Sequence, residues 1–100
     1  MHARVTTLNA EPDRLDGMVQ QLEQRDIPTF HEMDGFRGMT VFGDRSSGKT
    51  FAITYWDSED QMKASEEQVL DARRRAAEAS GHSGEPPVER FEVLLDTFVR

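Results

Sequence analysis

The segment Gly43–Thr50 carries the residue types that hold phosphate groups, at the spacing used by phosphate-binding loops. It reads Gly-Asp-Arg-Ser-Ser-Gly-Lys-Thr and matches the pattern G-x-x-x-x-G-K-[ST] at every specified position. Such a loop needs a helix after it, because the helix N-terminus and the loop amides together bind the phosphates. The residues that follow, Phe51–Trp56, are β-branched and aromatic in alternation, which predicts a strand. Nucleotide binding is therefore the less favoured interpretation.

The same segment is better explained as the tip of an antiparallel hairpin. We expect its strands at Phe36–Phe42 and Lys49–Trp56. Gly48 suits a backbone position with positive φ, and Asp44 suits a turn closed by its own side chain. In this interpretation Lys49 is a solvated side chain.

Hydrophobic spacing and turn residues predict the other elements. Ala3–Leu8 alternates as a first strand, and Pro12 marks the start of a first helix, which Pro28 is expected to break or kink. Ser58 and Gln61 form a capping box that begins a second helix of roughly twenty residues.

A loop rich in glycine and proline, Ser80–Pro87, precedes a long final strand predicted at Val88–Val99. The order β-α-β-β-α-β predicts an α+β fold of the ferredoxin-like type, with a four-stranded antiparallel sheet and both helices on one face. The whole chain, residues 1–100, is expected to form a single domain.

The sheet face opposite the helices is expected to need a partner. Suppose that Phe51, Ile53 and Tyr55 of the third strand point at the helices. The side chains that then point away are Ala52, Thr54, Trp56, Leu94 and Phe98. A mixed apolar face with no helix to cover it predicts a homodimer whose sheets stack and enclose a pocket on each side. Thr54, Trp56 and Phe98 are the predicted pocket residues.

Charge and composition exclude several classes of function. The chain has 12 Lys and Arg against 19 Asp and Glu, a net charge of −7, so nucleic acid is not an expected partner. It lacks Cys, which excludes thiolate catalysis, and no apolar run approaches the roughly 20 residues of a membrane span. Without a signal-peptide pattern, we expect a cytoplasmic location and no membrane partner.

Arg73–Arg75 forms a run of three cations on the second helix. We expect a solvated helix face that pairs with Glu66, Glu67 and Glu78 at helical spacings. A clamp for an anionic substrate is the less favoured alternative.

Several segments resemble the antibiotic biosynthesis monooxygenase-type domains of the dimeric α+β barrel superfamily. The resemblance begins at Pro12–Asp16 and at Gly35–Gly38, and it continues through the hairpin tip at Asp44–Lys49. It is also carried by Thr54–Glu59, which leads into Ala64–Ser65, and by Val88–Val93. The resemblance covers essentially the whole chain and is more specific for the fold than for the reaction.

The resemblance implies a small ligand bound between sheet and helices in each protomer of a homodimer. Members that are oxygenases use O₂ on phenolic or quinol-like substrates without flavin or metal, so no cofactor is expected. Trp56 matches a tryptophan that borders the pocket in such proteins, and Asn9 roughly matches a polar position that bonds the substrate or the bound oxygen. His31 is the candidate base, since its ordinary pKa suits proton transfer.

Two alternatives remain open at this point. A haem-binding function is disfavoured, because the predicted second helix contains no His and His82 falls in the loop beyond it. A non-catalytic ligand-binding or interaction module of the same fold is favoured by the scarcity of polar groups that form an acid–base pair.

Overall fold

Four strands form one antiparallel sheet in the computed structural model, which describes residues 1–98. The strands are β1 (His2–Asn9), β2 (Phe36–Gly43), β3 (Lys49–Trp56) and β4 (Val88–Glu92), in the spatial order β2-β3-β1-β4. The helices follow β1 and β3, as the split βαβ arrangement requires. The predicted ferredoxin-like α+β fold is confirmed.

The first helical region changes its winding before Pro28. A single 3₁₀ turn (Pro12–Arg14) leads into α1 (Leu15–Gln21), then a π turn (Leu22–Asp26), then α2 (Ile27–His31). Proline has no N–H to donate to the preceding turn and its ring clashes with the carbonyl there, so a wider turn relieves the conflict. The predicted kink is therefore present as a local change of helix type.

The second helical region is interrupted where a single helix was expected. It consists of α3 (Glu59–Ala64) and α4 (Glu66–Ser80), separated at Ser65. The predicted cap at its start is confirmed, since Ser58 Oγ accepts a hydrogen bond from the Gln61 backbone N–H at 3.2 Å. The hydroxyl of Ser65 donates to the Met62 carbonyl at 2.7 Å, and this bond replaces part of the helical pattern at the break.

The last strand is shorter than predicted. β4 pairs with β1 in a register that places Glu92 opposite His2, so β1 has almost no residues left to pair beyond this point. One further bond, from Val93 N–H to the Met1 carbonyl at 2.8 Å, closes the ladder. The expected continuation to Val99 is therefore wrong for residues 93–98, and Val99 itself lies outside the described residues.

The predicted orientation of β3 is also wrong. Thr50, Thr54 and Trp56 are buried on the side of the helices, at 0%, 5% and 0% exposure. Phe51, Ile53 and Tyr55 are half-buried and point away from the helices. The register explains the reversal, because Thr54 lies opposite Arg4 of β1, and Arg4 packs against the second helical region.

The side chains that point away from the helices form what we call the outer face. It comprises Phe42, Phe51, Ile53, Tyr55 and Phe91. Phe42 and Phe91 remain 56% and 50% exposed, and the Phe98 ring covers part of Tyr55 with 5.5 Å between ring centroids. Beyond β4, Leu94 and Leu95 are also exposed. This surface is more apolar than the sequence predicted.

The core between sheet and helices has two clusters. The first joins the end of β1 to α1 and the C-terminal half of α4, and its central residues are Leu8, Leu15, Met18 and Ala76. The second joins the end of β3 to α2, α3 and the first half of α4, with Phe30, Trp56, Met62 and Val69 at its centre. Met39 of β2 packs against both clusters and so lies at the boundary between them.

Candidate functional site

The phosphate-loop pattern at Gly43–Thr50 forms the hairpin tip between β2 and β3, as predicted. Its amides are already occupied, because Asp44 Oδ1 accepts from the backbone N–H groups of Ser46 and Ser47 at 2.8 and 3.3 Å. These bonds hold the pKa of the Asp44 carboxyl below its usual value. The hydroxyl of Thr50 donates to the Gly48 carbonyl at 3.0 Å and is fully buried. No helix follows, so the geometry of a phosphate-binding loop is absent from this hairpin.

Gly48 has an architectural role in the same hairpin. Its φ is +83°, and an added Cβ would lie only 1.8 Å from the Ala10 carbonyl oxygen. The Gly48 carbonyl accepts the Ala10 N–H at 3.0 Å, which fastens the hairpin tip to the end of β1. The match to the phosphate-loop pattern therefore reflects a close approach of two backbones.

A small cavity lies between the sheet and the helices, where the two core clusters meet. Its free volume is about 30 Å³, enough for one water molecule. Most of its wall is apolar and is contributed by Leu8, Leu22, Phe30, Met39, Ala52, Val69, Ala72 and Ala76. The polar members of the wall are Arg4, Thr6, Thr54 and Arg73. The cavity thus combines an apolar body with a small polar section.

Arg4 is the most deeply buried charged residue of this wall, at 1% exposure. Its Nη2 donates to the Met62 carbonyl at 2.6 Å and to Ser65 Oγ at 3.2 Å, and it lies 3.2 Å from a Glu66 carboxylate oxygen. Burial lowers the pKa of the Arg4 guanidinium, while the Glu66 carboxylate acts in the opposite direction. No sequence signal indicates this burial, because Arg4 lies in an alternating strand whose two faces are similar in polarity.

Arg73 enters the cavity wall from α4. The expectation of a solvated face for Arg73–Arg75 is only partly correct: Arg73 is half-buried, and burial lowers its pKa. Arg74 pairs with Glu85 at 3.3 Å, and Arg75 pairs with the buried Asp26 at 2.5 Å. The predicted partners Glu66, Glu67 and Glu78 do not form these pairs in the described residues.

Glu66 links the buried and exposed parts of this charged group. Its Oε1 accepts from Arg90 Nε at 2.7 Å as well as contacting Arg4. The hydrogen bond from Arg90 is the main cause that lowers the pKa of Glu66, against the opposing effect of burial. Hence one carboxylate pairs with two guanidinium groups, those of Arg4 and Arg90.

Trp56 supports the cavity wall from behind. Its Nε1–H donates to Thr54 Oγ1 at 3.0 Å, and the Arg4 guanidinium lies over its ring at 5.7 Å from the centroid. The Phe36 ring meets it edge-on at 5.3 Å. Thr54, a predicted pocket residue, lines the cavity, whereas Trp56 contacts two lining residues without lining it. The indole N–H has its acceptor within the fold.

The remaining candidate residues lie elsewhere. Phe98 is on the outer face, so the structure does not bring it together with Thr54 and Trp56. Asn9, at the exposed end of β1, donates its backbone N–H to His82 Nδ1 at 2.8 Å. His31 is exposed at the end of α2, where its ring meets Phe36 edge-on at 5.4 Å. Neither Asn9 nor His31 lines the cavity.

A metal site and a membrane-spanning helix are both absent from residues 1–98. This part of the chain has no cluster of three or more His, Cys, Asp or Glu side chains positioned to hold a metal ion. It also has no helix with the length and apolar character that a bilayer crossing requires. The cavity lined by Arg4 and Arg73 is the candidate site.

The chain has sequence relatives among known proteins. The chain is similar to the uncharacterized protein Rv2557 of Mycobacterium tuberculosis, with 36% identity over 93 residues. These cover 93% of this chain and 41% of that protein, so the chain spans about two fifths of this relative's length.

Solved structures of low identity share the architecture. A monooxygenase from the gene ActVA-Orf6 of Streptomyces coelicolor, solved in complex with Nanaomycin D, gives a TM-score of 0.78 at 14% identity, over 99% of this chain and 92% of that one. The heme-degrader MhuD of Mycobacterium tuberculosis, solved with two hemes bound, gives 0.68 at 16% identity, over 98% and 100%. At these identities the likeness shows the fold alone. The model of the family described as antibiotic biosynthesis monooxygenase matches residues 1–78, and the chain belongs to that family.

Proposed function

We propose that this domain binds a small aromatic molecule in the cavity between its sheet and helices and oxygenates phenolic or quinol substrates without flavin or metal. The observation that carries the proposal is the cavity itself: a mostly apolar wall with a polar section formed by Arg4, Thr6, Thr54 and Arg73. The likeness to a monooxygenase solved in complex with Nanaomycin D supports a small organic molecule as the ligand.

In this reaction the substrate itself supplies the electrons that reduce O₂, because no cofactor takes part. Oxidation of a hydroxyanthrone methylene to a carbonyl breaks two C–H bonds, places one oxygen atom of O₂ on the carbon and releases the other as water. Removal of a proton from the substrate starts this sequence, and cationic groups at the site favour the resulting anion. Arg4 and Arg73 are the cations in the cavity wall.

The catalytic roles of Asn9 and His31 stay predictions. Neither side chain lines the cavity, so we expect His31→Ala and Asn9→Ala to leave ligand affinity unchanged. A loss of turnover in His31→Ala at unchanged affinity, with a lost pH dependence, would support its role as the base.

We also propose that the outer face is covered by a second copy of the chain. Phe42 and Phe91 are about half exposed there, next to the half-buried Phe51, Ile53 and Tyr55. An apolar surface of this extent is unusual on a monomer. Light scattering during gel filtration at micromolar concentration should give twice the mass of one chain, and Phe42→Glu should shift the protein toward monomer. A monomeric parent protein would contradict this part of the proposal.

A non-catalytic binding module is the second candidate, and one observation favours it. The cavity wall contains no His, Asp, Glu, Lys or Tyr, so it offers no ordinary general base. Oxygen uptake with a panel of hydroquinones and hydroxyanthrones separates the two candidates. Turnover above the uncatalysed rate supports the oxygenase, whereas saturable binding without turnover supports the module.

A further inference from the structure

Two guanidinium groups in the cavity wall have donor nitrogens without acceptors. Nε and Nη1 of Arg4, and Nε and Nη2 of Arg73, are buried and have no hydrogen-bond partner in residues 1–98. Arg4 is 1% exposed, so bulk water does not reach its side chain. Buried charged donors without an acceptor are costly, and an acceptor that enters the cavity relieves that cost.

We propose that Arg4 and Arg73 form a clamp for the carboxylate of a small, otherwise apolar organic acid. The inference deepens the proposed function and rests on it for the cavity as the ligand site. It adds that the aromatic ligand carries an acid group, which Arg4 holds from β1 and Arg73 holds from α4.

The free donors of Arg73, Nε and Nη2, lie on one edge of its guanidinium and favour a carboxylate, to which Arg4 can add single N–H donors. A guanidinium is a planar fork of N–H donors that matches the two oxygens of a carboxylate. The rest of the wall, from Leu8 and Phe30 to Val69 and Ala76, suits a hydrocarbon body. A phosphate would place a second negative charge against this apolar wall, where few further donors are available.

The positive charge around the cavity also favours an anionic ligand. The Oε1 atom of Glu66 contacts both Arg4 Nη2 and Arg90 Nε, so two guanidinium groups share one carboxylate. Arg73 has no ion pair within residues 1–98. The group therefore keeps an excess of positive charge in a chain whose net charge is −7. An anionic ligand compensates this local excess.

Entry of a ring requires the cavity to expand from its free volume of about 30 Å³. Met39 and Arg73 are the long, unbranched side chains in the wall besides Arg4, and the thioether of Met39 adapts easily to a new shape. Arg73 is only half-buried, so its movement needs less desolvation than that of Arg4. We therefore expect small acids to bind with movement of these two side chains.

Calorimetry with benzoate and its neutral analogue benzamide tests the clamp in the intact chain. We expect benzoate to bind more tightly than benzamide, and Arg73→Met to weaken benzoate roughly thirtyfold with little effect on benzamide. The matched control is Arg74→Met, because Arg74 is the adjacent cation and pairs with Glu85 away from the cavity wall. This variant should bind benzoate like the parent.

A second measurement does not depend on any variant folding correctly. In the parent protein, the Nε–H resonances of Arg4 and Arg73 should shift in ¹H–¹⁵N spectra when benzoate is added, and stay in place with benzamide. Equal affinities for the two probes, or an unaffected Arg73→Met, would overturn the clamp. So would an absence of binding by both benzoate and acetate at about 10 mM.

These results are independent of turnover. Tighter binding of benzoate than of benzamide, without oxygen uptake on the hydroquinones and hydroxyanthrones, would support the clamp and contradict the proposed oxygenation. Oxygen uptake with neutral phenols, without a preference for acids, supports the oxygenation and contradicts the clamp.

Discussion

Replacement of Gly48 by alanine should weaken the fold by about 1 kcal/mol more than the same substitution at a turn glycine of positive φ with open space around it. The left-handed conformation at φ +83° costs alanine about 1–2 kcal/mol. The new Cβ would also lie 1.8 Å from the Ala10 carbonyl oxygen, a backbone atom that moves only if β1 and the hairpin separate. Separation loses the bond from Ala10 N–H to the Gly48 carbonyl, worth about 1 kcal/mol.

The sum is about 2–3 kcal/mol, which corresponds to a fall in melting temperature of roughly 10–20 °C for a domain of this size. Thermal unfolding followed by circular dichroism measures this directly. Gly84→Ala is the matched control, because Gly84 has nearly the same φ of +78° and no atom within 4 Å of an added Cβ. It should lose only the conformational part, about 1–2 kcal/mol.

Equal losses in the two variants would refute the reasoning about the close approach at Gly48. A separate measurement tests whether the phosphate-loop pattern binds nucleotide. Mg·ATP should leave the melting temperature of the parent unchanged, since a ligand that binds the folded state raises it. A rise that disappears in Lys49→Ala would show that the hairpin binds nucleotide after all.

Three further substitutions probe other parts of the fold. Gly17→Ala should stabilise the domain by roughly 0.5–1 kcal/mol in urea unfolding. Gly17 lies on the exposed side of α1, and no atom is within 4 Å of the new Cβ. Thr54→Val removes the acceptor of the buried Trp56 Nε1–H, so we expect a loss of about 1–3 kcal/mol; a loss below 0.5 kcal/mol on the same scale would contradict this. The pKa of Glu66 is lowered in the folded state, so its ionised carboxylate stabilises the fold above the usual value of 4.5. This contribution to the free energy of unfolding disappears as the pH falls through the lowered pKa. Unfolding curves of Glu66→Gln and the parent should therefore differ at neutral pH and converge in acid; a difference that persists in acid would mean that Glu66 acts through packing.

The elements of the fold were predictable because their signals are local. The capping box at Ser58, the alternation in Phe51–Trp56 and the proline at position 28 each act within a few residues. The hairpin at Gly43–Thr50 was recognised for the same reason, since the residues after Thr50 decide between strand and helix. In each case the sequence contains the interaction that fixes the local structure.

The candidate site was less predictable because it depends on pairing between distant segments. Which face of β3 points at the helices follows from its register with β1, and the two faces do not differ enough in polarity to reveal it. Arg4 becomes buried only because it lies opposite Thr54 and below the break at Ser65, more than fifty residues away. No local pattern at residue 4 carries this information.

The interruption between α3 and α4 supplies hydrogen-bond acceptors to the buried Arg4. In return, Arg4 supplies donors to the polar groups that the interruption leaves free. A broken helix exposes carbonyl groups at the end of its first half, and a buried guanidinium needs acceptors. Here the Met62 carbonyl and the Ser65 hydroxyl meet both needs at once. In a chain with an aliphatic residue at position 4, the Met62 carbonyl and the Ser65 hydroxyl would lose the cationic donor that they share. The discontinuity in the helix and the cation beneath it are therefore coupled, and a change at position 4 of β1 alters the hydrogen bonding of a helix end on the other side of the core.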